Sequence, residues 1–199
     1  FYLIPGATCK YQDVFTHTLF GLPPPKTYAY CYEESNHCMA TNDYFEALKL
    51  SKEHNKPILV DFTGMACVNC RKLENQVWED SQVHELICNN YILAQLYVDK
   101  KGSVESETID ECFTDGQFKK EKIINTIGKK WSTLQTLTFG KNTQPLHIII
   151  KPSNDPLFDE ELLKDKNGNY FQPKAYKDAN NIETYKNWLE QGLEDFYSE

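Results

Sequence analysis

No stretch of the 199-residue chain reaches the roughly 18 consecutive apolar residues that a membrane-spanning helix needs. Positive charge is also scarce: 21 Lys and Arg stand against 29 Asp and Glu, a formal charge of −8. A nucleic-acid partner is therefore not expected, because binding phosphates needs a basic face that displaces counterions, and a strongly anionic membrane surface is disfavoured for the same reason. No internal repeat or low-complexity tract occurs. Histidine is sparse, with residues at 17, 37, 54, 84 and 147, and none adjoins the one C-x-x-C pair among the seven Cys. The second close pair that a zinc site would want at that motif is missing, and Arg71 follows it where covalent haem would need His. No metal or organic cofactor is expected there.

What is present is aromatic mass: 12 Tyr, 11 Phe and 3 Trp are too many for a disordered segment, and the length suits one domain or two small ones. The chain opens on Phe1 in place of Met, as expected of a cut or processed product, and Phe1–Gly6 reads either as the exit of a transmembrane helix or as a buried N-terminal arm. Residues 1–40, with Pro23-Pro24-Pro25 as a stiff spacer, are expected to form an irregular N-terminal extension, and residues 41–199 the domain proper.

Along that domain, Thr41 or Asn42 is expected to cap a helix running to about Asn55. Ile58–Phe62 reads as a strand buried on both faces, Cys67 to about Trp78 as a helix, and Asp80 or Ser81 as the restart of helix carrying Val83, Leu86 and Ile87. Tyr91–Val98 is a second strand. The polar stretch 99–122 is expected to be a surface insertion. Ile124, Ile127, Trp131 and Leu134 recur at helical spacing up to Gly140, and Leu146–Ile150 is a third buried strand. Asn167-Gly168 signals a turn before an edge strand at Tyr170-Phe171, and Ile182 to Phe196 is a last amphipathic helix. The order predicts an α/β fold, one sheet between helices.

The chemistry centres on Cys67-Val68-Asn69-Cys70, where a buried strand gives way to a helix. At a helix N-terminus the unpaired N–H groups and the macrodipole favour an anion, so Cys67 is expected to have a lowered pKa and to attack disulfides, with the deeper Cys70 resolving the mixed disulfide. Asp61 interrupts an apolar strand. Pointing opposite Val60 and Phe62, it is expected beneath the dithiol, its pKa raised by burial, ready to exchange a proton with Cys70; the alternative is a strand-end Asp capping a loop. Glu74, one turn after Cys70, reads either as a second tuning carboxylate or as a solvated helix Glu. Pro145 follows Gln144 at a strand start; in a dithiol fold a cis proline there can pair a substrate strand, whereas the sequence by itself makes trans the default. His147 reads as packed, His84 as a helix-surface residue, and Cys88 as an inert buried thiol. Cys31 and Cys38 bracket a short polar loop and are expected either to bridge it or to remain free thiols.

Lys56–Phe62 followed after four residues by the C-x-x-C resembles the thioredoxin fold. The longer string Asp61–Glu74 is similar to the C-terminal, periplasmic thioredoxin-like domain of the thiol:disulfide interchange protein DsbD family, in its Bacteroides-type form. Val77-Trp78, Leu96–Asp99, the Trp131–Gly140 helix and Gln144-Pro145 sit where that family would place them. The resemblance implies a central mixed sheet flanked by helices. It implies Cys67 as nucleophile, Cys70 as resolving thiol, Asp61 and Glu74 as tuning carboxylates, and Gln144-Pro145 with a cis proline facing the substrate. It also implies a transmembrane electron-donor domain, presumed in the same polypeptide, as the source of electrons, periplasmic disulfide-containing proteins as recipients, and tethering to the inner membrane on the N-terminal side. Cys31, Cys38 and the segment holding Cys112 depart from the family's pattern. Val68 and Asn69 carry no charge to stabilise a thiolate, which favours a couple nearer thioredoxin at about −270 mV than the oxidant DsbA at about −120 mV. Two rivals share these residues: a free-standing thioredoxin-like oxidoreductase or isomerase serving cytochrome c maturation, and a non-enzymatic binding module on the same scaffold.

Overall fold

A computed structural model describes residues 38–112, 119–151, 161–163 and 181–198. The expected N-terminal extension up to residue 37 and the expected edge strand at Tyr170-Phe171 lie outside the described residues.

Five strands form one mixed sheet in the order β1-β3-β2-β6-β7: β1 Ala40–Thr41, β2 Ile58–Thr63, β3 Ile92–Tyr97, β6 Leu146–Lys151 and β7 Glu161–Leu163. β1 and β2 run parallel to β3, whereas β6 runs antiparallel to β2, and β7 antiparallel to β6. Helices α1 (Tyr44–His54), α2 (Val68–Leu73), α3 (Ser81–Asn90), α4 (Ile127–Phe139) and α5 (Ile182–Tyr197) connect and cover it. Alternation along β2 splits the core. Ile58, Val60 and Phe62 pack with Tyr44, Trp131 and Phe139 on one face. Leu59 faces the other side, with Leu73, Ile87, Tyr185 and Leu189. Asp61 shares that second parity, the side on which α2, α3 and α5 pack.

Helix ends follow local chemistry. The cap of α1 is Asp43, two residues beyond Thr41 and one beyond Asn42, the expected caps: its carboxylate accepts the N–H groups of Phe45 and Glu46, while Thr41 is drawn into β1. Asn55 ends α1 in the left-handed region at φ 50°, Asp80 caps α3, and Gly140 at φ 61° ends α4 as expected.

Two corrections concern the middle of the chain. The stretch expected to be a surface insertion, to which no strand was assigned, contains a two-stranded antiparallel pair, β4 Ser103–Cys112 with β5 Lys119–Thr126. The helix that follows starts at Ile127, capped by Thr126, so Ile124 belongs to β5 and not to the helix. A third correction concerns the cysteines. Cys38 is bonded to Cys88, 50 residues away, and so neither closes a loop with Cys31 nor leaves Cys88 a free thiol. The cause is topological: Cys38 leads into β1, Ala40 pairs with Leu93 of β3, and Cys88 sits on the helix feeding β3, which brings the two Cα atoms to 3.9 Å.

Candidate functional site

β2 ends at Thr63, and Gly64–Ala66 carries the chain to Cys67, the N-cap of α2. Asp99, just past β3, holds this loop: its carboxylate accepts the N–H of Met65 at 2.8 Å and of Ala66 at 3.0 Å. Gly64 fits because a Cβ there would lie 3.1 Å from an Asp99 oxygen and 3.4 Å from Cys67 Cβ.

Cys67 has extended backbone and its Sγ accepts the Cys70 N–H at 3.2 Å, so the sulfur itself satisfies an orphan donor of the helix. The two cysteines are joined by a disulfide with Cα atoms 5.3 Å apart. Their exposure is unequal. Cys67 is half-buried between exposed Met65 and Val68, whereas Cys70 is 1% exposed. A visiting disulfide can meet the first sulfur and not the second, the asymmetry expected of an attacking and a resolving thiol.

Past Leu73 the helix widens into one π-helical turn, Glu74–Trp78. Glu74 lies inward against Arg71, Oε1 to Nη2 2.7 Å, and the buried guanidinium also donates to Thr63 Oγ1 at 2.8 Å. Burial and the nearby Asp61 charge push the Glu74 pKa up to about 8, against the downward pull of Arg71. The ion pair with Arg71 and a side chain only 16% exposed set Glu74 against the protein and not out in solvent.

Asp61 is 1% exposed, in the body of β2 and not at its end, so it does not cap a loop. Directly across the antiparallel ladder stands His147, itself buried, with Nε2 3.2 Å from Asp61 Oδ1. Tyr185 of α5 contacts His147 Nδ1 through its hydroxyl at 2.8 Å, and Trp78 Nε1 donates to that hydroxyl oxygen at 2.9 Å. Burial raises the Tyr185 pKa well above the usual phenol range, so the phenol keeps its proton. A line of four side chains, Trp78, Tyr185, His147 and Asp61, thus runs from the π-helical turn through α5 and β6 to β2. Sequence reading placed His147 correctly as packed but missed its partner, along with Tyr185, Trp78, Arg71 and Asp99. The available signal was parity: Asp61 and His147 interrupt two apolar strands.

The Gln144–Pro145 bond is cis. Phe62 pairs with Leu146, so Pro145 enters β6 beside the point where β2 departs for Cys67. Gln144 donates to Gln135 Oε1 at 3.2 Å, and the Gln135 amide donates to the Thr143 carbonyl at 2.7 Å, so α4 holds the loop from below.

A family model described as thioredoxin-like matches residues 39–120. Among solved structures, the chain is similar to a thioredoxin from Thermus thermophilus determined in solution, with 15% identity and a TM-score of 0.49 over 78% of this chain and 86% of that one. A search of curated proteins returns no match. Sheet order, helix placement and the family match give the chain a thioredoxin-like fold, which is consistent with a thiol–disulfide oxidoreductase.

Proposed function

We propose that this chain is a periplasmic protein-disulfide reductase domain of the DsbD type. Residues 41–199 form its thioredoxin-like part, and residues 1–40 link it to a transmembrane electron-donor domain. The observation that carries the reading is the half-exposed Cys67 at a helix N-cap over a buried Cys70.

The chemistry follows from that asymmetry. In the dithiol form, Cys67 thiolate attacks one sulfur of a partner disulfide. The partner's S–S bond breaks, its second sulfur leaves as a thiolate and takes a proton, and a Cys67–partner mixed disulfide forms. Cys70 then loses its proton and attacks Cys67 Sγ, releasing the partner's first sulfur as a thiolate and restoring the Cys67–Cys70 bond. Two electrons pass to the partner. On this reading Glu74 and Asp61, near enough to each other for their charges to interact, are the carboxyl groups that take up the Cys70 proton. The donor domain returns two electrons by the reverse exchange. No step requires a metal or an organic cofactor.

Insulin reduction in a dithiol-driven assay tests the activity, with Cys67→Ser expected to abolish it. An inert wild-type chain would favour a binding module instead. Equilibration against glutathione and dithiothreitol buffers tests the direction: a potential well above roughly −180 mV would replace the reductase by an oxidase or isomerase.

A further inference from the structure

Among the described residues, a second bonded cysteine pair, Cys38 and Cys88, lies at the other end of the sheet. Cys67 follows the C-terminal end of β2, whereas Cys38 precedes β1 and Cys88 precedes β3, at the N-terminal ends of strands parallel to it. Cys38 Sγ, Cys88 Sγ and a ring nitrogen of His84 lie within 4.8 Å of one another, with His84 Nε2 3.5 Å from Cys88 Sγ. His84 and Cys88 are four residues apart on α3 and so share one face, while Cys38 comes from a different segment. Dithiol exchange at Cys67 uses none of the three.

Two sulfurs and an imidazole are a donor set for a soft or borderline d10 cation. Around such an ion, bond lengths of about 2.3 Å to sulfur and about 2.0 Å to nitrogen place neighbouring ligand atoms roughly 3.3–3.8 Å apart; His84 Nε2 and Cys88 Sγ already stand 3.5 Å apart, and the two sulfurs must separate once their bond is broken. Cys88 is buried, Cys38 half-buried and His84 exposed, so the fourth position of a tetrahedron opens toward water. While the sulfurs are bonded to each other they are poor ligands, because the ligand is the thiolate.

We propose that reduction of the Cys38–Cys88 bond converts this staple into a binding site for one ion of the Zn2+ type, held by Cys38, His84 and Cys88. The step balances. A dithiol gives up two electrons and two protons and closes its own disulfide, the Cys38–Cys88 bond breaks, and two thiols result. The ion then displaces both protons and changes no oxidation state. The metal takes over the task of the S–S bond, tying the segment before β1 to α3, so the link survives a change of redox state.

The test uses the full chain carrying Cys67→Ser and Cys70→Ser, reduced with excess dithiol and desalted without oxygen. It is titrated with Zn2+ against a chromophoric chelator, and with Co2+ for its thiolate charge-transfer absorption. One ion per reduced chain is expected, with none on the oxidised chain, at least a tenfold weakening by His84→Ala and loss of binding by Cys88→Ser. His84 is exposed, so His84→Ala keeps the fold and decides the matter should Cys88→Ser not fold. The proposal is overturned if the reduced chain binds no ion, if the oxidised chain binds equally well, or if His84→Ala leaves the affinity unchanged.

Discussion

His147 faces Asp61 across the β2–β6 ladder at 3.2 Å, with both side chains sealed from solvent. Among the described residues, neither Asp61 oxygen accepts a hydrogen bond, so the imidazole is set against an acceptor that water cannot serve. The two residues should therefore be energetically linked. A double-mutant cycle with Asp61→Asn and His147→Gln, read by urea unfolding, is expected to give a coupling of about 0.5–3 kcal/mol. Strict additivity would reduce the pair to mere neighbours.

Glu74 makes stability depend on pH. Its pKa of about 8 in the folded chain exceeds the ordinary value of 4.5, so between those two values the folded chain binds more protons than the unfolded one. The slope of unfolding free energy with pH is then negative: this contribution is fully present below about 4.5, declines as pH rises, and is gone above about 8. Glu74→Gln is expected to flatten the fall in stability across that window, measured by urea midpoints at several pH values. An unchanged slope would assign the proton elsewhere.

Cys70→Ser is expected to trap a partner protein or a small disulfide on Cys67, because the buried sulfur that would resolve it is gone. Intact mass under non-reducing conditions reads the adduct, and dithiothreitol should remove it. Cys67→Ser should form none.

Asp99→Ala frees the N–H groups of Met65 and Ala66 and loosens the loop that presents Cys67. Because the carboxylate is exposed, the stability loss should be modest, about 1 kcal/mol. The rate of insulin reduction should fall with it, while the reduction potential of the couple moves little.

Gly128→Ala is expected to cost about 1–3 kcal/mol by thermal or urea unfolding. A Cβ at 128 would lie 2.5 Å from the Val98 carbonyl oxygen and 2.8 Å from the Lys100 nitrogen, both of them backbone atoms that cannot swing away. The glycine lets α4 begin against the end of β3, where its own N–H donates to the Lys100 carbonyl at 2.9 Å.

Periodicity and composition made much of the fold legible. Ile58–Phe62, the Trp131 helix and the final helix stand where apolar spacing places them, and Asp61 announces itself by interrupting a strand. The β4–β5 pair was illegible because Ser103–Cys112 is mostly polar at both parities, leaving no alternation to read. Cys38–Cys88 was illegible because its pairing is set by which strand lies beside which, a property of topology and not of spacing. Distance in sequence likewise hid the link from His147 to Asp61, and those from Tyr185 and Trp78 to His147, although each residue type is one that seeks a partner when buried.

The seclusion of Cys70 has one more consequence. In the proposed reductase, a stray oxidant or small thiol arriving at the Cys67–Cys70 pair finds one reachable sulfur, and whatever it leaves there is cleared by an internal attack that needs no second visitor. How long a captured chain stays attached is thus timed from within the fold, by how readily one hidden hydrogen can be given up.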